Sequence, residues 1–335
     1  MLVTEFCSKI HSEKLRELLE NKEFDVAVVD LMFNECGLAL THRLGIPSVG
    51  YWAFSFAGGQ QEFTTMPAPT SHVPSFMTTL SHNMNLVQRT HNTLAKIAER
   101  LFMYYYHSLV NQRLQDLCPE SPAADQLLGN LDGMLINTNN ILDYPRPQPP
   151  TFINIGGIQI KKQPGSLPYQ IQEFMDSAKH GVVLFTMGFI FDSRAVPKSM
   201  INRLLSAFER LPQKVIFKYD SKVPGLVVPS NVLVLPWVPQ QAILAHHNTV
   251  VFITHCGMHG VLEAIYHQVS AQGVVMVVVL CAVLQVPMVG MPVFIDQGDV
   301  LTRMEEKGIG LGVDKTASAD AIYNAIVQVS TQCDV

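Results

Sequence analysis

The sequence predicts an α/β protein of two lobes, each a parallel sheet covered by helices. At 335 residues the chain exceeds what one hydrophobic core usually serves, domains ordinarily running to roughly 150 residues. Hydrophobic residues make up 48% and charged residues 15%, enough to fill large cores and too apolar for disorder over most of the length. Short apolar runs alternate with helix-like stretches along almost the whole chain, the rhythm of strands joined by crossover helices.

In the first lobe, FDVAVVD from Phe24 is an apolar run that ends on the acid Asp30. A helix-like stretch follows to His42, and IPSVGYW is the next strand. Residues 64–76, TTMPAPTSHVPSF, carry three prolines and read as a loop of the kind that holds binding groups. From Leu86 to Leu117 no Pro or Gly intervenes, and Leu94, Ile97, Leu101, Tyr105 and Leu109 recur at helical spacing. That stripe is expected to pack on the core, with a membrane- or partner-facing surface as the alternative. GMLINT at 133–138 reads as a buried strand, and PRPQPP at 145–150 as a rigid break. The boundary is set at 156/157, so the lobes are 1–156 and 157–335. In the second lobe the strands are GVVLFTMG, KVIFKYD, NVLVLPW, VVFITH and PMVGMPVF. Helices are expected at 197–210 and 258–267, a short one after Trp237, and two more around GIGLGV.

A net charge of -5 without a Lys/Arg run gives no overall footprint for nucleic acid or an anionic membrane. The six cysteines are scattered without a C-x-x-C pair, so neither a disulfide framework nor a zinc ribbon is expected, and they say little about redox compartment. The opening MLVTEFCSKIHSEK lacks the apolar stretch of a signal peptide. Val274–Leu284 is apolar but shorter than the ~20 residues of a membrane span, and reads as a buried strand or misplaced sequence.

Parallel sheets bind ligands beyond the carboxyl ends of their strands. In the second lobe that edge receives Gly188, His255, and the pair Asp296 and Gln297. The turn THCGMHG, with His255 and Gly257, leads straight into a helix, so its N–H groups and the positive helix terminus would face a diphosphate. His259 and Glu263 are one turn apart on that helix, and a carboxylate there suits the vicinal hydroxyls of a ribose. Two alternatives are a metal site at His255, Cys256 and His259, disfavoured because no H-E-x-x-H is present, and a capping turn without a ligand.

The stretch WVPQQAILAHHNTVVFITHCGMHGVLEAIYHQ, then VPMVGMPVFIDQGD, closely resembles the signature of the UDP-glucuronosyltransferase family, the UDP-glycosyltransferases of animals. The resemblance extends back through GVVLFTMG, LPQKVIFKYD and DYPRPQPPTFINIGG to FDVAVVD. It implies a GT-B fold of two Rossmann-like lobes, an acceptor lobe at 1–156 and a UDP-sugar lobe at 157–335. Matched residue by residue, Trp237 would stack on uracil, the Val238 backbone would meet its edge, and Gln240 would lie near the ribose. His255, Gly257 and the turn match the diphosphate site, with Gly188 beside it. His259 stands where the family usually has Asn, Glu263 matches the ribose carboxylate, and Asp296 with Gln297 match the pair that holds the sugar hydroxyls. Asp30 matches the acidic partner of a catalytic His; without the family it reads equally as a strand-end cap.

The implied reaction transfers a hexose or hexuronic acid from a UDP-sugar to a hydroxyl of a small lipophilic acceptor, with inversion and without metal or further cofactor. The family also implies the lumenal side of the endoplasmic reticulum membrane and association with complete relatives. Against its pattern, the catalytic His motif, the closing C-terminal helices and the membrane segment lie outside the stretch matched here. Phe189 replaces a small residue, usually Ser, and Cys256 replaces a glycine. Residues 269–285, VSAQGVVMVVVLCAVLQ, are an insert that reads as a read-through intron and should emerge at the amino-end edge of the sheet. The alternative function is a non-catalytic UDP-sugar-binding remnant or partial gene model.

Overall fold

The computed structural model describes residues 7, 12, 17, 23–54, 63, 64, 66–75, 78–188, 196–219, 226–271, 286–293 and 296–331. The chain divides into two compact units, Met1–Gly156 and Gly157–Val335. Phe189 and residues 272–285 of the insert lie outside the described residues.

The first unit runs β1 (Ala27–Asp30), α1 (Glu35–Arg43), β2 (Ser48–Trp52), α2 (Leu86–Leu117), α3 (Ala124–Gly129), β3 (Gly133–Ile136) and β4 (Phe152–Asn154). Its strands pair in parallel in the order β1-β2-β3-β4. Val29, Leu38, Leu128, Met134 and Ile136 form the centre of its core. Asn34 caps α1 by accepting from the Gly37 amide at 3.2 Å, and Gly45 ends it at φ +65°, the left-handed turn that glycine adopts without strain. Cys7 and Cys36 form a disulfide, Cα–Cα 5.4 Å, which corrects the expectation from spacing: folding joins cysteines 29 residues apart that no local motif pairs.

Helix α2 starts at a capping box, with Asn85 accepting from the Gln88 amide and Gln88 from the Asn85 amide, both at 2.9 Å. Its orientation is the reverse of the sequence expectation. Leu94, Ile97, Leu101, Tyr105 and Leu109 are all exposed. The buried face is Asn92, Lys96, Glu99, Met103, Tyr106, His107, Val110 and Leu114. Polar groups can lie inward because they have partners: Asn92 donates to the Thr70 and Val73 carbonyls at 2.8 and 2.9 Å, Ser75 donates to Glu99, and Tyr106 donates to Glu35 at 2.7 Å. Asn92 and Glu99 thereby pin the proline-rich loop to the helix.

The second unit runs α4 (Tyr169–Asp176), β5 (Val182–Thr186), α5 (Lys198–Glu209), β6 (Lys214–Lys218), β7 (Val232–Leu235), α6 (Gln240–Leu244), β8 (Thr249–Thr254), α7 (Met258–Ala271), β9 (Met288–Gly290), α8 (Gln297–Glu306), β10 (Gly310–Gly312) and α9 (Ala319–Thr331). Its six strands are parallel, in the order β10-β9-β8-β5-β6-β7. All five residues of β5 are buried, the mark of a central strand covered on both faces. Phe185, Phe208 and Phe217 meet edge to face at 4.9–5.9 Å under α5. Helix α7 continues through Ala271 into the insert, and β9 pairs beside β8, so the segment PMVG supplies the strand at that place.

Candidate functional site

The strand order of the second unit reverses between β5 and β8. The chain builds outward from β5 through β6 to β7, then returns to lay β8 on the other side of β5. Connections above two such strands leave in opposite directions and open a crevice at their carboxyl ends. Gly188 follows β5 and His255 follows β8, so both stand at that reversal.

Both strands end in the same turn. The hydroxyl of Thr186 accepts from the Gly188 amide at 3.1 Å, and that of Thr254 from the Cys256 amide at 3.3 Å. The third residue of each turn is left-handed, Gly188 at φ +76° and Cys256 at φ +65°. Glycine takes that conformation freely, whereas an L side chain pays about 1–2 kcal/mol. This is the physical reason why a glycine suits position 256. The Cys256 thiol is fully buried beside Gly290, and burial pushes its pKa up.

The His255 imidazole lies between two glycines. A β-carbon on Gly188 would come within 2.6 Å of its Cε1, and one on Gly257 within 2.8 Å of the same atom. Lys218, at the end of β6, donates to the Gly188 carbonyl at 2.8 Å. Burial, with the Lys218 charge adding to it, holds the His255 pKa down at about 4, so the ring is neutral at pH 7. A neutral imidazole presents one N–H to an anion and carries no charge of its own. Among the described residues His255 Nδ1 is buried without a hydrogen-bond partner.

Glu263 lies buried on α7 and receives two amides from α6: Gln240 Nε2 donates at 2.8 Å and Gln241 Nε2 at 3.1 Å. Burial raises its pKa, partly offset by those bonds and by one from the Gln159 side chain. Gln241 also donates to the Gln159 carbonyl and accepts from the Lys161 amide, while Gln159 donates to the His259 carbonyl. The His259 side chain is exposed on the first turn of α7, above the buried Glu263. Trp237 is 66% exposed, and the adjoining Val238 is buried with its carbonyl accepting from the Gln240 amide.

Asp296 and Gln297 open α8 and are both buried. Gln297 accepts from the Val293 amide at 2.8 Å. The Asp296 carboxyl is pushed up to about 6, first by burial and then by Asp299, which is paired with Arg303 at 2.5 Å. A cavity of about 510 Å³ lies along the same edge, lined by Gly188, Lys218, Tyr219, Pro236 and Val293 among others.

The fold thus gathers Gly188, His255 and Gly257 in one cluster and Gln240 with Glu263 in a second. His255 faces the two glycines while Cys256 packs on Gly290, so the residues of the metal alternative point apart, and no metal-holding group of His, Cys, Asp or Glu occurs among the described residues. Lys218, Gln241 and Gln159 were not singled out from sequence. Lys218 ends its strand at the ligand edge, a rule that could have found it, whereas the glutamines carry no local signal.

In the first unit Asp30 ends β1, exposed, and accepts from the Met32 amide at 3.0 Å, as a strand-end cap does. Phe33, three residues on, is left-handed at φ 55° and packs on Tyr106 at 5.3 Å. Burial and the Asp30 charge raise the Tyr51 pKa.

The model of the family described as "UDP-glucoronosyl and UDP-glucosyl transferase" matches residues 1–332. UDP-glucuronosyltransferase 1-2 of Mus musculus is 32% identical over 327 residues, covering 96% of this chain and 56% of its own length. The chain therefore spans little more than half of such relatives. Among solved structures, the glycotransferase of kitacinnamycin superposes with TM-score 0.63 at 18% identity, over 96% of this chain and 76% of the other. A UDP-glucose:anthocyanidin 3-O-glucosyltransferase in complex with UDP gives 0.58 at 15%, over 96% and 71%. These likenesses establish the GT-B glycosyltransferase fold, and the match over residues 1–332 makes the chain a member of the UDP-glucoronosyl and UDP-glucosyl transferase family.

Proposed function

We propose that this chain serves a UDP-sugar-dependent glycosyltransferase that transfers a hexose or hexuronic acid to a hydroxyl of a small lipophilic acceptor. The observation that carries the reading is the pair of Thr-capped turns at the strand-order reversal, with the neutral His255 held between Gly188 and Gly257. There the N-terminus of the 14-residue helix α7 and the His255 N–H would meet the diphosphate. Glu263, whose carboxylate has roughly four lone-pair sites, would take the ribose hydroxyls at the sites its amide partners leave. The exposed indole of Trp237 offers a face for uracil, and Asp296 with Gln297 would hold the sugar.

In the transfer step an imidazole base, which the resemblance places outside the stretch matched here, would take the acceptor proton, the acceptor oxygen would form its bond to the anomeric carbon from the far side, and the carbon–oxygen bond to the diphosphate would break. UDP leaves with the electron pair and the sugar inverts. Asp30, in spite of its bond to Met32, has acceptor sites left to orient such a base. The helix terminus and the His255 N–H would stabilise the charge that develops on the leaving group. The Cys7–Cys36 disulfide supports placement in an oxidising compartment such as the endoplasmic reticulum lumen.

Calorimetric titration of the full chain with UDP tests the donor site. Glu263→Ala is expected to weaken binding about tenfold or more, the value of hydrogen bonds to a charged acceptor. Equal affinity for the two proteins would remove Glu263 from the site. UDP binding without glycoside formation would favour the binding-only function, with or without association with a complete relative.

A further inference from the structure

We propose, resting on Glu263 as the ribose carboxylate, that Gln159 is a specificity-determining residue of the donor site: its side chain stands in for one ribose hydroxyl on Glu263 and gives way when a ribonucleotide binds in full. Glu263 is buried on α7 and takes three side-chain amides, from Gln240 at 2.8 Å, from Gln241 at 3.1 Å and from Gln159. A carboxylate has roughly four lone-pair sites, so about one is open. The vicinal hydroxyls of a ribose need two. One amide therefore leaves its place when both hydroxyls bind.

The partners of the three glutamines decide which one leaves. Gln240 makes the shorter of the two measured bonds. Gln241 is fixed at both ends of its amide: Nε2 also donates to the Gln159 carbonyl at 3.2 Å, and Oε1 accepts from the Lys161 amide at 2.8 Å and lies 3.4 Å from His267 Nε2. Moving it would break the bonds that fasten the backbone of residues 159–161 to α6. The Gln159 side chain has the weakest hold. Its other donor contact is the His259 carbonyl at 3.4 Å, and among the described residues its Oε1 is buried without a hydrogen-bond partner. Turning it outward breaks the fewest bonds and gives the stranded oxygen access to water. The way out is short, since the neighbouring Ile158 is 73% exposed. A turn holds the backbone while the side chain moves: Gly157 is left-handed at φ +97°, and the Ile160 amide donates to its carbonyl at 2.9 Å. A ribonucleotide gains its second hydroxyl bond only against this exchange. A 2′-deoxyribonucleotide offers one hydroxyl, takes the open site and leaves Gln159 in place, so Gln159 narrows the preference for ribose.

Calorimetric titration of the full chain with UDP and with 2′-deoxy-UDP is the test, because the two ligands share base and diphosphate and differ in one hydroxyl. Gln159→Ala should tighten UDP about fivefold, the net value of one hydrogen bond, and leave 2′-deoxy-UDP within about twofold. Gln159→Met, of similar length without the amide, should do the same. Melting temperatures and hydrogen exchange across α6 and α7 verify that both variants keep the fold around Glu263. Unchanged or weaker UDP binding by Gln159→Ala overturns the proposal. So does equal tightening for both ligands, or tightening in the alanine but not the methionine variant, either of which would make Gln159 a steric obstacle rather than a competitor for the carboxylate. Failure of the wild type to bind UDP, or equal UDP affinity of the wild type and Glu263→Ala, removes the ribose assignment and the proposal with it. Weakened binding by Glu263→Ala without a gain in Gln159→Ala removes Gln159 alone.

Discussion

Replacing Asp296 by Asn separates stability from sugar binding at one atom. The folded carboxyl has a pKa of about 6 against an ordinary 3.8, because burial and Asp299 both oppose its charge. The folded state thus holds this proton more tightly than the unfolded chain does. The stability it contributes is full below pH 3.8 and is lost as pH rises through 6. A shift of about two units corresponds to about 3 kcal/mol. An amide has no charge to bury, so Asp296→Asn should recover up to that amount at pH 8 and about half of it at pH 5. Loss of the carboxylate's attraction to the α8 N-terminus subtracts about 0.3–1 kcal/mol. A two-lobe protein need not unfold in one step, so the measurement is native-state hydrogen exchange of amides in α8 and β9, at pH 5 and pH 8. Protection in the variant should exceed the wild type at pH 8 by about thirty- to a hundredfold, and by less at pH 5. The same variant should bind UDP as the wild type does but bind a UDP-sugar more weakly, because the charge-assisted bonds to the sugar hydroxyls are gone. Equal protection of the two proteins at pH 8 would refute the burial argument, and unchanged UDP-sugar affinity would refute the role in holding the sugar.

The His255 cluster yields two further expectations. Gly188→Ala combines an L side chain at φ +76° with a β-carbon 2.6 Å from the imidazole, and should cost about 1–2 kcal/mol of stability and displace the ring, read as a lower melting temperature with weakened UDP binding; retention of both would place the ring elsewhere. Binding of a diphosphate beside His255 should raise its pKa from about 4, so in the Asp296→Asn background, which removes the opposing titration of Asp296 near 6, affinity for UDP-glucose, whose diphosphate does not titrate in this range, should tighten as pH falls from 7 to 5. A rise of about two units gives up to about tenfold. His255→Gln should abolish that slope, and persistence of the slope in the variant would assign it to another group.

Sequence alone determined the parallel strand rhythm, because apolar runs broken by helix-length segments admit few other packings. It also determined the limits of α2, since a run free of Pro and Gly between Asn85 and Cys118 has one local solution. The residue types at the carboxyl edge of β5 and β8 were legible in the same way, being set by short-range turn chemistry. Tertiary structure decided which side of α2 turns inward. Periodicity fixes the phase of a helix but not its sign, and the partners that let Asn92 and Glu99 be buried come from a loop about 20 residues away. The Cys7–Cys36 pair likewise has no local signature. The amide clamp on Glu263 joins α6 to α7, so its glutamines look ordinary until the two helices meet. The raised pKa of Asp296 and the lowered pKa of His255 arise from burial among residues distant in the chain, a quantity that no window of sequence contains.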